Sequence, residues 1–318
     1  METDNLGRIQ RSGTKKIKRA NSLSILATVT AVFLWSTSFV ATKIAYDSFT
    51  PLTLGAIRFL IATIILGIIM KFAKQDLKKP SRKDLGYISL SGLLGITIFY
   101  SMENIGVKLT TASNAALIVA SYPAITVLFD FLLTRKRITW IKGLGIALAV
   151  IGVYQITYHS PNQGGSQQLF GSVILILAGV AFTFYTFTTS KSVAKYSLIT
   201  VSFYQTLAGS LAFIPLSIIE RSSWKIPTIE SVIIVLYLGI FCSVIAFLLY
   251  NYGLRNISSG SAVALLNLVP VFGVLFSILF LNEVIGIYHL IGGLIVILGV
   301  FLSALEPNSK QPGGENHE

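Results

Sequence analysis

The chain contains the same unit twice. The stretch that begins at Asn104 (NIGVKLTTASNAALIVASYPAITVLFDFLL) aligns without a gap with the stretch that begins at Asn251 (NYGLRNISSGSAVALLNLVPVFGVLFSILF), 147 positions later. The same offset relates Pro123 to Pro270. A fixed offset over so long a span indicates a duplicated unit, and its period is far above the roughly 20–50 residues of solenoid repeats. The chain is therefore built from two copies of a half-protein.

Both copies are strongly apolar. Of the 318 residues, 53% are hydrophobic and 12% are charged, and the mean hydropathy is +0.73, whereas a soluble domain carries about 25% charged residues. Apolar runs of about 20 residues recur, and each is long enough to cross a hydrocarbon core of about 30 Å. Because backbone polar groups cannot stay unsatisfied in lipid, the predicted fold class is an all-α integral membrane protein.

Ten apolar runs predict ten transmembrane helices, five in each copy. The predicted spans are 23–46, 51–70, 85–107, 111–133, 139–157, 169–189, 198–219, 231–252, 259–281 and 285–305. The predicted organisation is a cytoplasmic tail (1–22), a first repeat (23–157), an external linker (158–168), a second repeat (169–305) and a second cytoplasmic tail (306–318).

The basic residues predict the orientation. With the N-terminus inside, 20 of the 25 Lys and Arg residues lie on the cytoplasmic side, as expected when positive loops stay in the cytoplasm. This distribution accounts for the net charge of +12 without a nucleic-acid partner. Because each copy has an odd number of spans, the second must enter the membrane from the opposite side. The duplication is therefore predicted to be two inverted five-helix repeats.

Inverted repeats are typical of secondary transporters, whose substrate site lies near the midplane between the repeats. The sequence contains no GxxxxGK[ST] phosphate loop, no HExxH and no GxSxG, which argues against an ATP-driven pump and against an enzyme. Its single cysteine, Cys242, and its three histidines indicate neither a disulfide nor a cysteine-rich metal site. We therefore predict no catalytic residue, no metal and no cofactor.

Polar and aromatic residues inside the spans give the candidate site. Tyr100, Glu103 and Asn104 share one helical face because of their spacing, and the second copy carries the corresponding face. These faces either line an aqueous cavity or hold the bundle together by interhelical hydrogen bonds. The candidate substrate-binding residues are Trp35, Ser38, Tyr100, Asn104, Asn114, Phe182, Tyr185, Tyr250, Asn251 and Asn267. Trp35 and Phe182 lie about 18 and 20 Å deep, so we expect a midplane pocket between them.

Arg58 and Glu103 are charged residues at similar depth, and such residues are costly in lipid. They are candidates for gating or coupling, with the proton as the candidate coupling ion, or for a structural ion pair; the sequence leaves both open. Lys43 is expected to snorkel to the outer interface. Asp130 is expected to form a local pair with Arg135 near the inner end of its span.

Prolines and glycines predict where helices bend and where they approach each other. Pro123 and Pro270 lie inside the fourth and ninth spans and should bend both. Two glycine pairs, each spaced seven residues apart, should allow close helix contact. They are Gly145 with Gly152 in the fifth span, and Gly292 with Gly299 in the tenth.

The chain resembles the EamA family of the drug/metabolite transporter superfamily over residues 23–305. The resemblance is carried by FLWSTSFVATKIA (33–45), PLTLGAIRFLIA (51–62), VKLTTASNAALI (107–118) with the following proline, and GLRNISSGSAVALLNLVPVFGVLFSILFLNE (253–283). It implies ten helices, an inverted repeat, a central cavity, a bacterial-type inner membrane and export of amino acids or related metabolites.

One departure from the family is visible. The family often has a Gly-Glu-Arg turn after the fourth and ninth spans. The second copy keeps Glu283, whereas the first reads Arg135-Lys136-Arg137. A role of this glutamate in the first copy is therefore not expected.

The sequence thus predicts a secondary transporter of small metabolites, an exporter of amino acids or related compounds by alternating access. The alternative is a passive channel or a lipid-handling membrane protein. The expected partners are a small-molecule substrate and the lipid bilayer. Substrate identity, direction of transport and oligomeric state stay open.

The basic loops generate a topology prediction. In a Cys242→Ala background, Gln163→Cys should react with an impermeant maleimide added outside the cell, because residue 163 lies in the external linker. Lys78→Cys, in the basic loop 71–84, should react only after the cytoplasmic side is exposed. Labelling of position 163 from the cytoplasmic side alone would rule out the inverted repeat.

Overall fold

The computed structural model describes residues 2–73, 79–134, 139–158 and 166–304. These residues form ten helices and, within those ranges, no strand. The helices are α1 (Glu2–Ala45), α2 (Pro51–Phe72), α3 (Arg82–Leu109), α4 (Ala112–Val119 continued by Tyr122–Thr134), α5 (Trp140–Tyr158), α6 (Ser166–Lys195), α7 (Leu198–Ile219), α8 (Ile229–Asn256), α9 (Ser259–Ala264, Leu265–Asn267 and Leu268–Leu281) and α10 (Ile287–Ala304).

Nine of these helices are long and apolar enough to cross a membrane, among the described residues. The apolar helix Ile287–Ser303 is shorter than the other nine. Large apolar side chains on the outside of the bundle, such as Ile64, Val150 and Leu294, are exposed, as a lipid-facing surface requires. The fold is therefore an all-α, multi-pass membrane protein.

The helices extend beyond several predicted spans. Helix α1 begins at Glu2, although only Ser22–Ala45 is apolar enough to cross the membrane. The polar segment 2–21 was predicted as a tail and here continues the helix. The predictions for residues 135–138, 159–165 and 305–318 lie outside the described residues.

Helices α3 and α8 each contain a π-helical turn at corresponding positions. The turns are Leu93–Ile98 and Leu238–Ile245, which the offset of the repeat superposes. A π turn shifts the backbone hydrogen-bond ladder, which frees carbonyl groups locally, and such turns are frequent at functional sites. Both turns lie in the middle of their helices, beside the centre of the bundle.

Helices α4 and α9 are interrupted just before their prolines. In α4, the first segment ends at Val119 and the second begins at Tyr122, next to Pro123. In α9, a 3-10 turn over Leu265–Asn267 precedes Pro270. A proline inside a helix removes one backbone hydrogen bond and clashes with the preceding turn, so the breaks lie where the sequence predicts bends.

Equivalent helices of the two copies pack antiparallel. In the α2–α7 pair, Thr63 Oγ1 lies 3.1 Å from Ser210 Oγ, and these two residues occupy the same position in the repeat. Along the same pair, Gly67 faces Phe203 whereas Gly55 faces Phe213. Residue numbers therefore increase along α2 in the direction in which they decrease along α7, so the two helices are antiparallel.

Helices α5 and α10 approach each other through the predicted glycines. A Cβ atom built on Gly145 would lie 2.5 Å from the Gly299 carbonyl oxygen. A Cβ atom on Gly152 would lie 2.6 Å from the Gly292 carbonyl oxygen. The expected close contact is confirmed, and it is a contact between backbones.

This packing generates a stability prediction. Gly152→Ala should destabilise the protein by about 1–3 kcal/mol, because the added methyl group overpacks a rigid backbone contact. Gly86→Ala is the matched control, since a Cβ at Gly86 has nothing within 4 Å. Thermal unfolding in detergent should show a lower midpoint for Gly152→Ala only; equal midpoints would contradict the packing.

Candidate functional site

A small cavity lies at the centre of the bundle, between α1, α3, α4, α6 and α9. Its volume is about 30 Å³, enough for one or two water molecules. Ligand pockets for small molecules measure about 300–1,000 Å³. The helices must therefore separate before the cavity can admit a metabolite. Its aromatic lining consists of Trp35, Phe39, Phe99, Tyr100, Tyr122 and Phe182.

The ring of Trp35 meets the ring of Phe182 directly. Their centroids lie 6.3 Å apart in an edge-to-face arrangement. Phe99 packs on Phe182 at 5.3 Å, and Tyr250 packs on Trp35 at 5.0 Å. The space expected between Trp35 and Phe182 is thus filled by the rings themselves in this closed arrangement.

The indole of Trp35 is fixed by the π turn of α8. Its Nε1 donates a 2.9 Å hydrogen bond to the carbonyl oxygen of Cys242, which lies within that turn. A buried Trp N–H needs an acceptor, and the π turn supplies one. The corresponding residue of the second copy, Phe182, has no such donor.

Glu103 is the charged residue of the cavity lining. It is 8% exposed and points into the space enclosed by the aromatic rings. Among the described residues, its carboxylate has no hydrogen bond and no ion pair within 4 Å. A buried carboxylate without a partner is energetically costly, so this group is suited to a ligand or a proton.

Arg58 does not form the ion pair with Glu103 that the sequence leaves open. Its side chain is fully buried. Nε donates to Ser243 Oγ at 2.6 Å, and Nη2 donates to the hydroxyl of Tyr100 at 3.4 Å. The guanidinium carbon lies 4.5 Å from the centre of the Tyr100 ring. The side chain therefore lies between Ser243 of α8 and the ring of Tyr100, and Nη1 has no partner among the described residues.

Three of the predicted asparagines, Asn104, Asn114 and Asn267, lie within the bundle and do not line the cavity. Asn104 Nδ2 donates to the Pro51 carbonyl oxygen at 2.9 Å. Asn114 Nδ2 donates to Thr110 Oγ1 at 3.2 Å. Asn267 ends the 3-10 turn of α9 and is partly buried. The side chains of Asn104 and Asn114 therefore bond within the bundle, whereas the buried Oδ1 of Asn267 has no partner among the described residues.

In the second copy, Asn251 belongs to a polar network around Gln205. Asn251 Nδ2 donates to Ser202 Oγ at 2.9 Å, and the Tyr185 hydroxyl donates to Asn251 Oδ1 at 3.2 Å. Gln205 Nε2 donates to Ser91 Oγ and to Thr189 Oγ1, both at 2.8 Å. Gln205 occupies the repeat position of Arg58.

Four of the ten candidate substrate-binding residues line the cavity, and Glu103 lines it too. Those four are Trp35, Ser38, Tyr100 and Phe182. The sequence analysis missed three aromatic residues of the lining. Phe39 and Phe99 follow helical i, i+4 spacing with Trp35 and Glu103, so that spacing could have identified them. Tyr122 had no comparable signal.

Two carboxylates that the sequence did not assign to a site cap helices of the first copy. Glu283 accepts from the backbone N–H groups of Ala112 at 2.8 Å and of Ser113 at 3.0 Å. Glu220 accepts from those of Leu52 at 3.0 Å and Thr53 at 2.9 Å. Negative groups at helix N-termini satisfy free N–H groups and complement the helix dipole.

Lys43 does not snorkel as expected. It is partly buried, and its Nζ donates to the carbonyl oxygen of Thr110 at the end of α3. A cation at a helix C-terminus is favourable for the same electrostatic reason. Asp130 is exposed, and its expected partner Arg135 lies outside the described residues.

Comparison with known proteins agrees with a multi-pass transporter. The model of the EamA-like transporter family matches residues 22–158 and 169–305. The chain is 31% identical over 285 residues to an uncharacterized transporter of Archaeoglobus fulgidus, covering 89% of this chain and 98% of the relative. The protein is therefore a membrane transporter. It belongs to the EamA-like transporter family, within the drug/metabolite transporter superfamily.

Other similar proteins add detail. A probable terminal-alkyne amino-acid exporter of Streptantibioticus cattleyicolor is 27% identical, covering 88% of this chain and 93% of the relative. The transporter YetK of Bacillus subtilis is 26% identical, with 96% and 92% covered. A solved crystal structure with 20% identity covers 88% of this chain and 96% of its own, with a TM-score of 0.67; it supports the fold.

The surroundings of Arg58 generate a prediction. Arg58→Met should leave thermal stability unchanged or higher, because a buried charge without a carboxylate partner costs free energy and Ser243 keeps its bond to Leu238. The matched variant Gln205→Met should lose about 1–3 kcal/mol, since it orphans buried partners. Thermal unfolding midpoints measured in detergent test this prediction. A larger loss of stability for Arg58→Met than for Gln205→Met would show that the guanidinium stabilises the fold.

Proposed function

We propose that this protein is a secondary transporter that exports amino acids or related small metabolites by alternating access. The observation that supports this most is the small central cavity, whose lining comes from both copies: Trp35 and Phe182 occupy the same repeat position, and both line it. A small site between two copies, which can admit a substrate only when the helices part, suits alternating access.

The proposed architecture is ten spans in two inverted repeats, with Ile287–Ser303 as the tenth span. The antiparallel packing of equivalent helices supports it, because an inverted repeat relates its halves by a two-fold axis in the membrane plane. The hydrogen bond between the equivalent residues Thr63 and Ser210 lies where such an axis would pass. We propose repeats over 23–157 and 169–305, joined by the external linker 158–168.

The proposed location is the inner, or cell, membrane, with both termini cytoplasmic. Its support is the distribution of basic residues, which favours the loops on that side. The tails 1–22 and 306–318 belong to the cytoplasmic side in this proposal.

Amino-acid export is supported by the relative named as a probable terminal-alkyne amino-acid exporter. The proposed coupling ion is the proton, carried by Glu103, because this carboxylate is the charged group in the cavity lining. Arg58 from α2 acts on this carboxylate electrostatically.

Counterflow in proteoliposomes tests the proposal. Vesicles preloaded with one unlabelled amino acid or amine from a screen should accumulate the labelled compound transiently and saturably. An imposed proton gradient should increase accumulation by the wild type and not by Glu103→Gln, whereas the exposed-site control Glu230→Gln should respond like the wild type. Flux that is linear with concentration and shows no counterflow would indicate a channel instead.

A further inference from the structure

The cavity combines one carboxylate with a set of aromatic faces. Glu103 is surrounded by the rings of Trp35, Phe99, Tyr100, Tyr122 and Phe182. Among the described residues, the lining contains no Lys, Arg or His side chain. Apart from the tyrosines, its other polar groups already donate within the protein: the Ser38 hydroxyl to the Trp35 carbonyl oxygen at 2.6 Å and Trp35 Nε1 to that of Cys242. The cavity lining is therefore aromatic and carries one negatively charged group.

The protein supplies no donor to Glu103 in this conformation. Arg58 acts on Glu103 electrostatically, yet its hydrogen bonds go to Ser243 and Tyr100, and it does not line the cavity. Removal of a carboxylate from water is offset only when a hydrogen-bonded or charged partner replaces the water. A hydrogen-bonding partner for this carboxylate, either a proton or the cationic group of a ligand, must therefore come from outside the chain.

The aromatic rings of the lining favour a positively charged partner. The face of an aromatic ring carries negative charge density, so it attracts an ammonium group and repels an anion. An uncharged apolar ligand would fill the aromatic space but would leave Glu103 unsatisfied. An organic cation satisfies both elements at once.

We propose that this site recognises the ammonium group of its substrate and does not recognise a substrate carboxylate. The ammonium nitrogen would donate to Glu103 and lie against the faces of Trp35 and the neighbouring rings. The substrate class would then be small organic amines, including amino acids whose carboxyl group is blocked. This inference rests on the proposed transport function and specifies the substrate that the same cavity takes.

The size of the cavity agrees with this assignment. Its volume of about 30 Å³ accommodates a group as small as an ammonium head, which is similar in size to a water molecule. The remainder of a substrate requires the helices to part, as alternating access demands. Among the described residues, the lining offers no cationic side chain to a carboxylate.

Leucine and three of its derivatives test the contribution of each charged group separately. Leucine carries both charges, leucinamide only the ammonium group, N-acetyl-leucine only the carboxylate, and N-acetyl-leucinamide neither. Binding can be followed by the fluorescence of Trp35 in the full-length protein carrying Trp140→Phe and Trp224→Phe. Those two residues are 77% and 53% exposed, whereas Trp35 is 8% exposed, so the remaining signal reports on the cavity.

Leucinamide should bind at least about tenfold more tightly than N-acetyl-leucinamide, which corresponds to about 1.4 kcal/mol. Leucine should bind no more tightly than leucinamide. Glu103→Gln should remove the preference for the ammonium group, Glu103→Asp should retain it, and Glu230→Gln should match the parent protein. If Glu103→Asp retains the preference for the ammonium group, the loss in Glu103→Gln is due to the missing charge and not to unfolding.

Two results would overturn the inference. In the first, leucine or N-acetyl-leucine binds about tenfold more tightly than the corresponding amide, which would show that the site recognises a carboxylate. In the second, none of the ammonium-bearing probes quenches Trp35. In either case, saturable counterflow of another compound in the screen would leave the transporter proposal intact. Absence of counterflow for every compound would refute the transporter proposal itself.

Discussion

The requirement that backbone polar groups find partners inside a membrane governs the whole molecule. Regular helices meet it everywhere except where they are interrupted. The interruptions of α3, α4, α8 and α9 lie in the middle of the bundle, near the cavity. At the π turn of α8, Trp35 bonds to the Cys242 carbonyl oxygen, and Ser243 Oγ bonds to that of Leu238. The irregular backbone of this turn is thus tolerated because the side chains of Trp35 and Ser243 satisfy its carbonyl groups.

The charged groups at the centre break the symmetry of the duplication. Glu103 corresponds to Tyr250, and Arg58 corresponds to Gln205, so both charges belong to the first copy. Gln205 completes a neutral network, whereas Arg58 keeps an unsatisfied Nη1 and Glu103 lines the cavity. The duplicated residues build the scaffold, and the departures from duplication carry the charge that a substrate or an ion could use.

The sequence predicted those features that depend on periodicity along the chain. Apolar runs located the helices, the prolines located the breaks in α4 and α9, and the glycines located the α5–α10 contact. It did not predict the π turns, because their residues are as apolar as the rest of the helices. Nor did it predict where Arg58 points, because Ser243 approaches it from a helix 185 positions away. Contacts of this kind depend on which helix faces meet.

Different kinds of interaction join the helices at the two ends of the bundle. At the end that we propose to be external, Glu283 and Glu220 from the second copy bind backbone N–H groups of the first. Their repeat counterparts, Lys136 and Ala73, have no acceptor side chain. At the opposite end, Asp84 bonds to Lys195 at 2.5 Å and to the Tyr196 hydroxyl at 2.6 Å.

The interactions at the two ends of the bundle differ in strength as well as in residue type. Lys195 is 52% exposed in its ion pair with Asp84, and an exposed pair contributes little because water and salt screen it. The carboxylates at the external end are only partly exposed and accept charge-assisted bonds from helix N-termini, which are stronger than neutral hydrogen bonds. Separation of the helices should therefore cost more at the end that we propose to be external than at the end that we propose to be cytoplasmic. In an exporter, that difference favours a resting state in which the cytoplasmic side opens first to its substrate.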